Sequence, residues 1–160
     1  MLVVPSVIDP HNLDIKAIHN LNNAQVGTVL LSASVGVLVA ITFIGRICAE
    51  RGSKPVVIVA SYIGALTLFP VALAPNFLTL CLAFIVWGSV LASQDIAMNT
   101  HASTVEHETG KRYMSGFHAV FSLGALLGGF SGGLASQFNI SLLDQSIAIS
   151  ILYTLLATAV

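Results

Sequence analysis

The chain has 160 residues, of which 56% are hydrophobic and only 8% are charged, and its mean hydropathy is +0.90. A soluble domain carries about 25% charged residues, so this chain has too few to cover a water-facing surface and is predicted to be a membrane protein. Its net charge of −1 and the lack of a dense Lys/Arg cluster exclude nucleic acid as a partner. No nucleophile–base pair, metal-ligand cluster or phosphate-cradling loop occurs, so neither an enzyme nor a cofactor is predicted.

The first 24 residues are predicted to be a polar segment outside the bundle. They lack a basic start and hold only a short apolar run before Pro5, so they form neither a signal peptide nor a spanning helix. A helix needs about 20 mostly apolar residues to cross about 30 Å of hydrocarbon. Five later segments are apolar enough to do so, and they cover residues 26–45, 55–74, 77–105, 113–138 and 142–160. The sequence therefore predicts an all-α polytopic bundle of about five transmembrane helices.

Two of these segments have special features. Pro70 is expected to bend the last turn of the second, because proline removes a backbone hydrogen bond. The third is about 43 Å long as a helix and should tilt or project from the bilayer. Its exit, HASTVEHE (101–108), is predicted to become a solvated loop rather than a metal site.

Five of the six basic residues lie in two connections between predicted spans. Arg46, Arg51 and Lys54 separate the first two spans, whereas Lys111 and Arg112 separate the third and fourth. Excess Lys and Arg marks the cytoplasmic side, and both connections fall on that side when five spans alternate. We therefore expect a multi-pass protein of the inner or plasma membrane with residues 1–24 outside the cytoplasm.

That orientation leaves a polar segment outside without a signal to send it there. It indicates that one more helix precedes the chain, which would then hold helices two to six of a larger bundle. The alternative is that the segment crosses the membrane unaided.

Three stretches carry a resemblance to a known family. GRICAERGSK (Gly45–Lys54) is similar to a Gly-x-x-x-Asp-Arg-x-Gly-Arg-Arg signature, and DIAMN (Asp95–Asn99) is followed by a third matching stretch, MSGFHAVFSLG, at residues 114–124. The chain resembles the N-terminal half of major facilitator superfamily (MFS) transporters, particularly the YbjJ-like bacterial branch. The resemblance implies that the chain is a partial N-terminal domain of a transporter, without the transporter's C-terminal half. The parent would move a small solute by alternating access.

The first stretch implies a gating loop formed by Gly45, Gly52 and Lys54. The match is partial, since Ala49 and Glu50 stand where the signature has its Asp and first Arg, and Ser53 replaces the next Arg. A gate that works by charge pairing would be weakened in this chain.

The stretch DIAMN (Asp95–Asn99) also resembles the acidic-x-Ala-x-Asn motif of fucose-permease-type sugar–proton symporters. This resemblance implies proton coupling and a sugar-like solute. Asp95 and Asn99 are four residues apart and share a helix face, with Gln94 on an adjacent stripe. An aspartate at a helix centre costs about 2.5–3.5 kcal/mol on translocon scales, so it faces the bundle interior, a partner or water. Our hypothesis is that Asp95 titrates during transport, with Asn99, Gln94 and His118 as its candidate partners in the proton or substrate pathway. The alternative is a static polar clamp between the third and fourth predicted spans, or a helix end already among cytoplasmic headgroups.

Small residues predict where helices pack. Gly124, Gly128 and Gly132 form a GxxxGxxxG stripe that would let backbones approach closely. A weaker stripe contains Ser32, Gly36 and Ala40. These faces also support a rival function, in which the chain is a non-transporting helical module that acts as an assembly or sensor subunit. A third possibility is a truncated remnant without function.

Overall fold

The computed structural model describes residues 15–158, and these fold into helices without a β-strand. The helices in chain order are α1 (Ile15–Ile18), α2 (Asn23–Arg51), α3 (Ser53–Leu66), α4 (Leu68–Ala72), α5 (Phe77–Thr109), α6 (Met114–Gln137) and α7 (Leu142–Thr158). In this part of the chain, four segments are long and apolar enough to cross a membrane. They are α2, the combined segment of α3 and α4 (Ser53–Ala72), α5 and α6. α7 is a shorter apolar helix. The predicted all-α membrane bundle is confirmed, and the predicted segment 1–24 lies mostly outside the described residues.

The two longest helices begin at asparagine caps. The Asn22 side chain accepts a hydrogen bond from the Gln25 N–H, and the Gln25 side chain accepts one from the Asn22 N–H, each at 2.9 Å. Asn76 and Thr79 form the same reciprocal pair at the start of α5. These capping boxes satisfy backbone donors that have no partner within the helix, so both starting points are encoded locally.

The second predicted span is broken in the turn before Pro70. α3 ends at Leu66, and Thr67 closes its last turn by donating backbone and side-chain hydrogen bonds to the Gly64 carbonyl at 3.2 and 2.8 Å. Because proline lacks an N–H, it cannot bond to the carbonyl four residues earlier, at Leu66. The helix is thus interrupted at Thr67, between α3 and α4, and the bend expected at Pro70 stays a prediction.

Two predicted loops are helical. α2 continues through Arg51, so the expected loop Gly45–Lys54 is reduced to Gly52, where φ is +83°. α5 continues to Thr109 and ends at Gly110 with φ +69°, so HASTVEHE is helix rather than loop. Hydropathy ends a span where charges begin, whereas the backbone stays helical until a residue adopts a positive φ, which glycine does easily.

The tightest contact in the bundle is the crossing of α2 and α5, where two glycines face each other's helix. A Cβ added to Gly36 would lie 2.0 Å from the Ile85 carbonyl oxygen, and one added to Gly88 would lie 2.2 Å from the Ala33 carbonyl oxygen. The Ser89 hydroxyl donates a hydrogen bond across this crossing to the Gly36 carbonyl at 3.0 Å. The weaker predicted stripe of small residues is thus a backbone-to-backbone interface, as expected for helices that lack a hydrophobic drive to associate.

The remaining helices attach to this pair. α3 packs on α5, and α7 packs on α3, where the buried Ser150 hydroxyl donates a hydrogen bond to the Ala65 carbonyl. α6 makes few contacts, and α5 is its main neighbour. Within the described residues, a Cβ at Gly124, Gly128 or Gly132 would meet no atom within 4 Å. The packing role of that stripe stays a prediction.

Candidate functional site

Asp95 lies on an exposed face of α5, about 27 Å along the helix from Phe77. Its carboxylate has no hydrogen bond or ion pair with any residue from 15 to 158. Asn99 follows one turn later and is half-buried, whereas Leu91, one turn earlier, is 42% exposed. The sequence-predicted pair therefore shares a face of α5, and that face carries a carboxylate without a protein partner in the described part of the chain.

Gln94, the neighbour of Asp95, is part of a different arrangement. Its side-chain oxygen accepts a hydrogen bond from the Tyr153 hydroxyl of α7 at 2.5 Å, and its Nε2 donates to the Ser61 hydroxyl of α3 at 3.4 Å. Gly64 permits this approach, because a Cβ there would lie 3.3 Å from the Tyr153 ring. We name Ser61, Gln94 and Tyr153 the polar clamp, since they join α3, α5 and α7. Gln94 rather than Asp95 forms this clamp, and it joins α5 to α3 and α7 instead of the third predicted span to the fourth.

The polar clamp should contribute measurably to stability. We expect Tyr153→Phe to lower the free energy of unfolding by about 0.5–1.5 kcal/mol, because it leaves the Gln94 oxygen without its hydroxyl donor inside a membrane bundle. Thermal unfolding of the detergent-purified chain measures the change. Tyr62→Phe is the matched control, because Tyr62 lies on α3 and its hydroxyl has no hydrogen bond within residues 15–158. Equal unfolding midpoints for the two variants would contradict a stabilising clamp.

His118 is not brought into the same cluster. It lies one turn into α6, and its side chain is exposed. No hydrogen bond joins it to Asp95 or to any other residue that the structure describes. Its predicted partnership with Asp95 stays a prediction.

The predicted gating residues lie around the short connection between α2 and α3. Gly45 is in the body of α2, Gly52 is the connection itself, and Lys54 is exposed at the start of α3. Near them, Arg46 and Glu50 form an ion pair at 2.7 Å along one face of α2, with 82% and 56% of their side chains exposed. A pair this exposed stabilises little.

Sequence reasoning missed one contact at this end of the bundle. Ser53 Oγ and His101 Nδ1 are 3.2 Å apart, which joins the start of α3 to α5. Both side chains are at least half-buried. A signal was present, because His101 lies seven residues after Gln94 and so shares the stripe of α5 that faces α3.

Among residues 15–158, no three His, Cys, Asp or Glu side chains are grouped so that they could hold a metal ion.

The architecture and this polar face define a multi-pass helical membrane protein with an ionisable group inside a spanning helix. Residues 6–160 match the model of the Major Facilitator Superfamily, and the chain belongs to this family. It is 34% identical over 121 residues to an uncharacterized MFS-type transporter of Yersinia pestis, a match that covers 76% of this chain and 31% of the relative. The uncharacterized transporter y4wD of Sinorhizobium fredii is 33% identical over 72% of this chain and 31% of its own length.

A third relative, membrane protein MosC of Rhizobium meliloti, is 27% identical over 74% of this chain and 28% of its own length. No solved structure matches the chain. The chain thus spans about a third of the length of the curated relatives that it matches.

Proposed function

We propose that this chain is part of a secondary transporter that moves a small solute across a membrane by alternating access, with Asp95 as the proton-coupling residue. Membership of the Major Facilitator Superfamily supports transport, as do the names of two relatives. In such transporters, two repeats rock about a binding site near the bilayer midplane. The rest of that site would lie in the parts of the relatives that the match to this chain does not cover.

The proposal rests mainly on one observation, which is that the carboxylate of Asp95 on α5 has no partner among residues 15–158. A charge on a spanning helix is costly unless it meets water, a partner or a proton. Within residues 15–158 no partner is present, and the side chain is exposed. The proton affinity of a carboxylate rises in apolar surroundings and falls when water reaches it. A carboxylate on such a face can therefore bind a proton in one conformation and release it in another.

The finer features of the proposal come from the sequence. We propose that the basic connections lie on the cytoplasmic side of the inner or plasma membrane. The resemblance of the Asp95–Asn99 motif to sugar–proton symporters favours a sugar-like solute, and the neighbouring motifs favour the YbjJ-like branch. Gly45, Gly52 and Lys54 would then belong to the gate at the cytoplasmic end.

The proposal requires that water reaches the Asp95 face of α5. We expect Leu91→Cys and Asn99→Cys, each in a chain with Cys48 and Cys81 replaced by alanine, to react with a membrane-impermeant thiol reagent in proteoliposomes. Val86→Cys is the matched control, because Val86 is 50% exposed but points to the opposite side of α5. The control should react at least tenfold more slowly, since a lipid-facing thiol stays protonated and inaccessible.

The rival function is a non-transporting module that binds a partner helix through the glycine stripe of α6. The specific observation in its favour is that Gly124, Gly128 and Gly132 have no neighbour among the described residues. This rival predicts that the Leu91 and Asn99 thiols react as slowly as the Val86 thiol. That result would reject a wet transport path.

A further inference from the structure

An open cleft of about 400 Å³ lies where α5 turns into α6. Its lining comes from the last turns of α5 and the connection that follows, and consists of Ser103, Glu106, His107, Gly110, Lys111 and Arg112. The left-handed conformation of Gly110 ends α5, and the Gly110 N–H bonds to the Glu106 carbonyl at 2.9 Å. This turn places the cations Lys111 and Arg112 beside the end of α5.

The only carboxylate that lines the cleft is already occupied. Glu106 Oε1 accepts hydrogen bonds from the backbone N–H groups of Tyr113 and Met114 at 2.6 and 2.7 Å. It thereby caps the start of α6, where the helix dipole also favours a negative charge. Glu106 thus holds the connection in place, and the α6 N-terminus offsets its charge.

The two cations of the cleft have no such partner. Lys111 and Arg112 are exposed, and neither forms an ion pair with any residue between 15 and 158. An Arg guanidinium binds phosphate oxygens through paired hydrogen bonds, and a Lys ammonium adds a point charge. The Ser103 hydroxyl supplies a further donor on the α5 side. Together these groups suit an anion with several oxygens.

The length of α6 gives an expected depth for the cleft. α6 has 24 residues. It is about 36 Å long, about 6 Å more than the hydrocarbon layer. Centred on the bilayer, it begins about 3 Å beyond the hydrocarbon edge, inside a headgroup layer about 5–7 Å thick. We therefore expect the groups that surround the start of α6 to lie at the level of lipid phosphates.

We propose that the cleft between α5 and α6 binds the phosphate of an anionic phospholipid headgroup through Lys111 and Arg112. The linear sequence shows no phosphate-binding motif, because the cleft depends on the turn at Gly110 and on the capping by Glu106. Basic pockets at the membrane surface recognise headgroups in this way. The site is separate from the Asp95 face and does not depend on the transport proposal.

Native mass spectrometry of the detergent-purified full chain, titrated with dioleoylphosphatidylglycerol, tests the proposal. We expect one tightly bound lipid, whose affinity falls about 25-fold in the Lys111→Gln/Arg112→Gln variant, since each surface cation contributes a factor of about five. The matched control is Arg51→Gln/Lys54→Gln, which removes one Arg and one Lys from the other basic connection and should change the affinity less than about twofold. Both pairs are exposed, so neither change should disturb folding, and an unchanged circular dichroism spectrum checks this.

Three outcomes would overturn the proposal. Equal losses in the two double variants would mean that the lipid responds to overall charge rather than to the cleft. Equal binding of dioleoylphosphatidylcholine would remove the preference for an anionic headgroup. Displacement of the bound lipid by millimolar inorganic phosphate would assign the cleft to a soluble phosphate. Arg112→Lys is an additional probe, and it should weaken binding several-fold because it keeps the charge but loses the paired hydrogen bonds.

Discussion

Alanine at Gly36 or at Gly88 is expected to push α2 away from α5 and to lower the stability of the bundle by about 3 kcal/mol. Each new Cβ would lie 2.0–2.2 Å from a carbonyl oxygen of the facing helix, a distance that real Cβ atoms do not adopt. The obstacle is backbone rather than a flexible side chain, so the helices themselves must separate. The separation would also break the hydrogen bond from Ser89 to the Gly36 carbonyl. Thermal or denaturant unfolding of the detergent-purified chain measures the effect.

Gly45→Ala and Gly124→Ala are the controls for this prediction. Both glycines lie inside helices, and a Cβ at either position meets nothing within 4 Å among the described residues. Alanine is favoured over glycine in a helix by about 1 kcal/mol, so these variants should unfold at the same or a higher temperature than the parent. If the Gly36 and Gly88 variants matched them, the close crossing of α2 and α5 would be refuted.

Asp95→Asn is expected to reduce gradient-driven solute uptake at least tenfold in a transporter of the relatives' full length that carries these residues. The amide keeps the shape and hydrogen-bonding capacity of the side chain but cannot bind and release a proton, so coupling fails while solute binding persists. Solute exchange without a gradient should therefore continue. Uptake of labelled sugars into proteoliposomes, with and without a proton gradient, measures both properties.

Asp144→Asn is the matched control for this coupling prediction. Asp144 undergoes the same chemical change but lies in the first turn of α7, where its carboxylate accepts a hydrogen bond from Ser141 at 2.6 Å. Uptake by this variant should equal that of the parent. Unchanged uptake in Asp95→Asn would remove the coupling role, and a loss of both uptake and exchange would assign Asp95 to solute binding instead.

Hydropathy was sufficient to predict the helical bundle, because a backbone in hydrocarbon must satisfy its hydrogen bonds within its own helix. Hydropathy was a poor predictor of where the helices end. α2 and α5 continue past their last apolar residues to Arg51 and Thr109, where a glycine stops each of them. Water allows such an extension, so the apolar pattern carries no information about it.

The candidate site could be predicted only in part. The carboxylate of Asp95 is conspicuous in the sequence because it interrupts an apolar run, and the helix period places Asn99 beside it. The partner of Gln94 could not be predicted, since Tyr153 is 59 residues away and reaches it through the packing of α7 on α3. For the same reason, the sequence could not predict which stripe of small residues packs against another helix. A GxxxG pattern shows that a close approach is possible, but the facing helix decides which stripe is used.

The close crossing of α2 and α5, at Gly36 on one helix and Gly88 on the other, also restricts how water and solutes can travel. Two backbones in contact leave no gap between α2 and α5 at that level, so this seam is closed to any permeant. Asp95 lies seven residues beyond Gly88, on nearly the same side of α5. Access along that side from the Phe77 end is therefore blocked, and an aqueous route to the carboxylate has to come from the flank of α5 or from the end near Thr109.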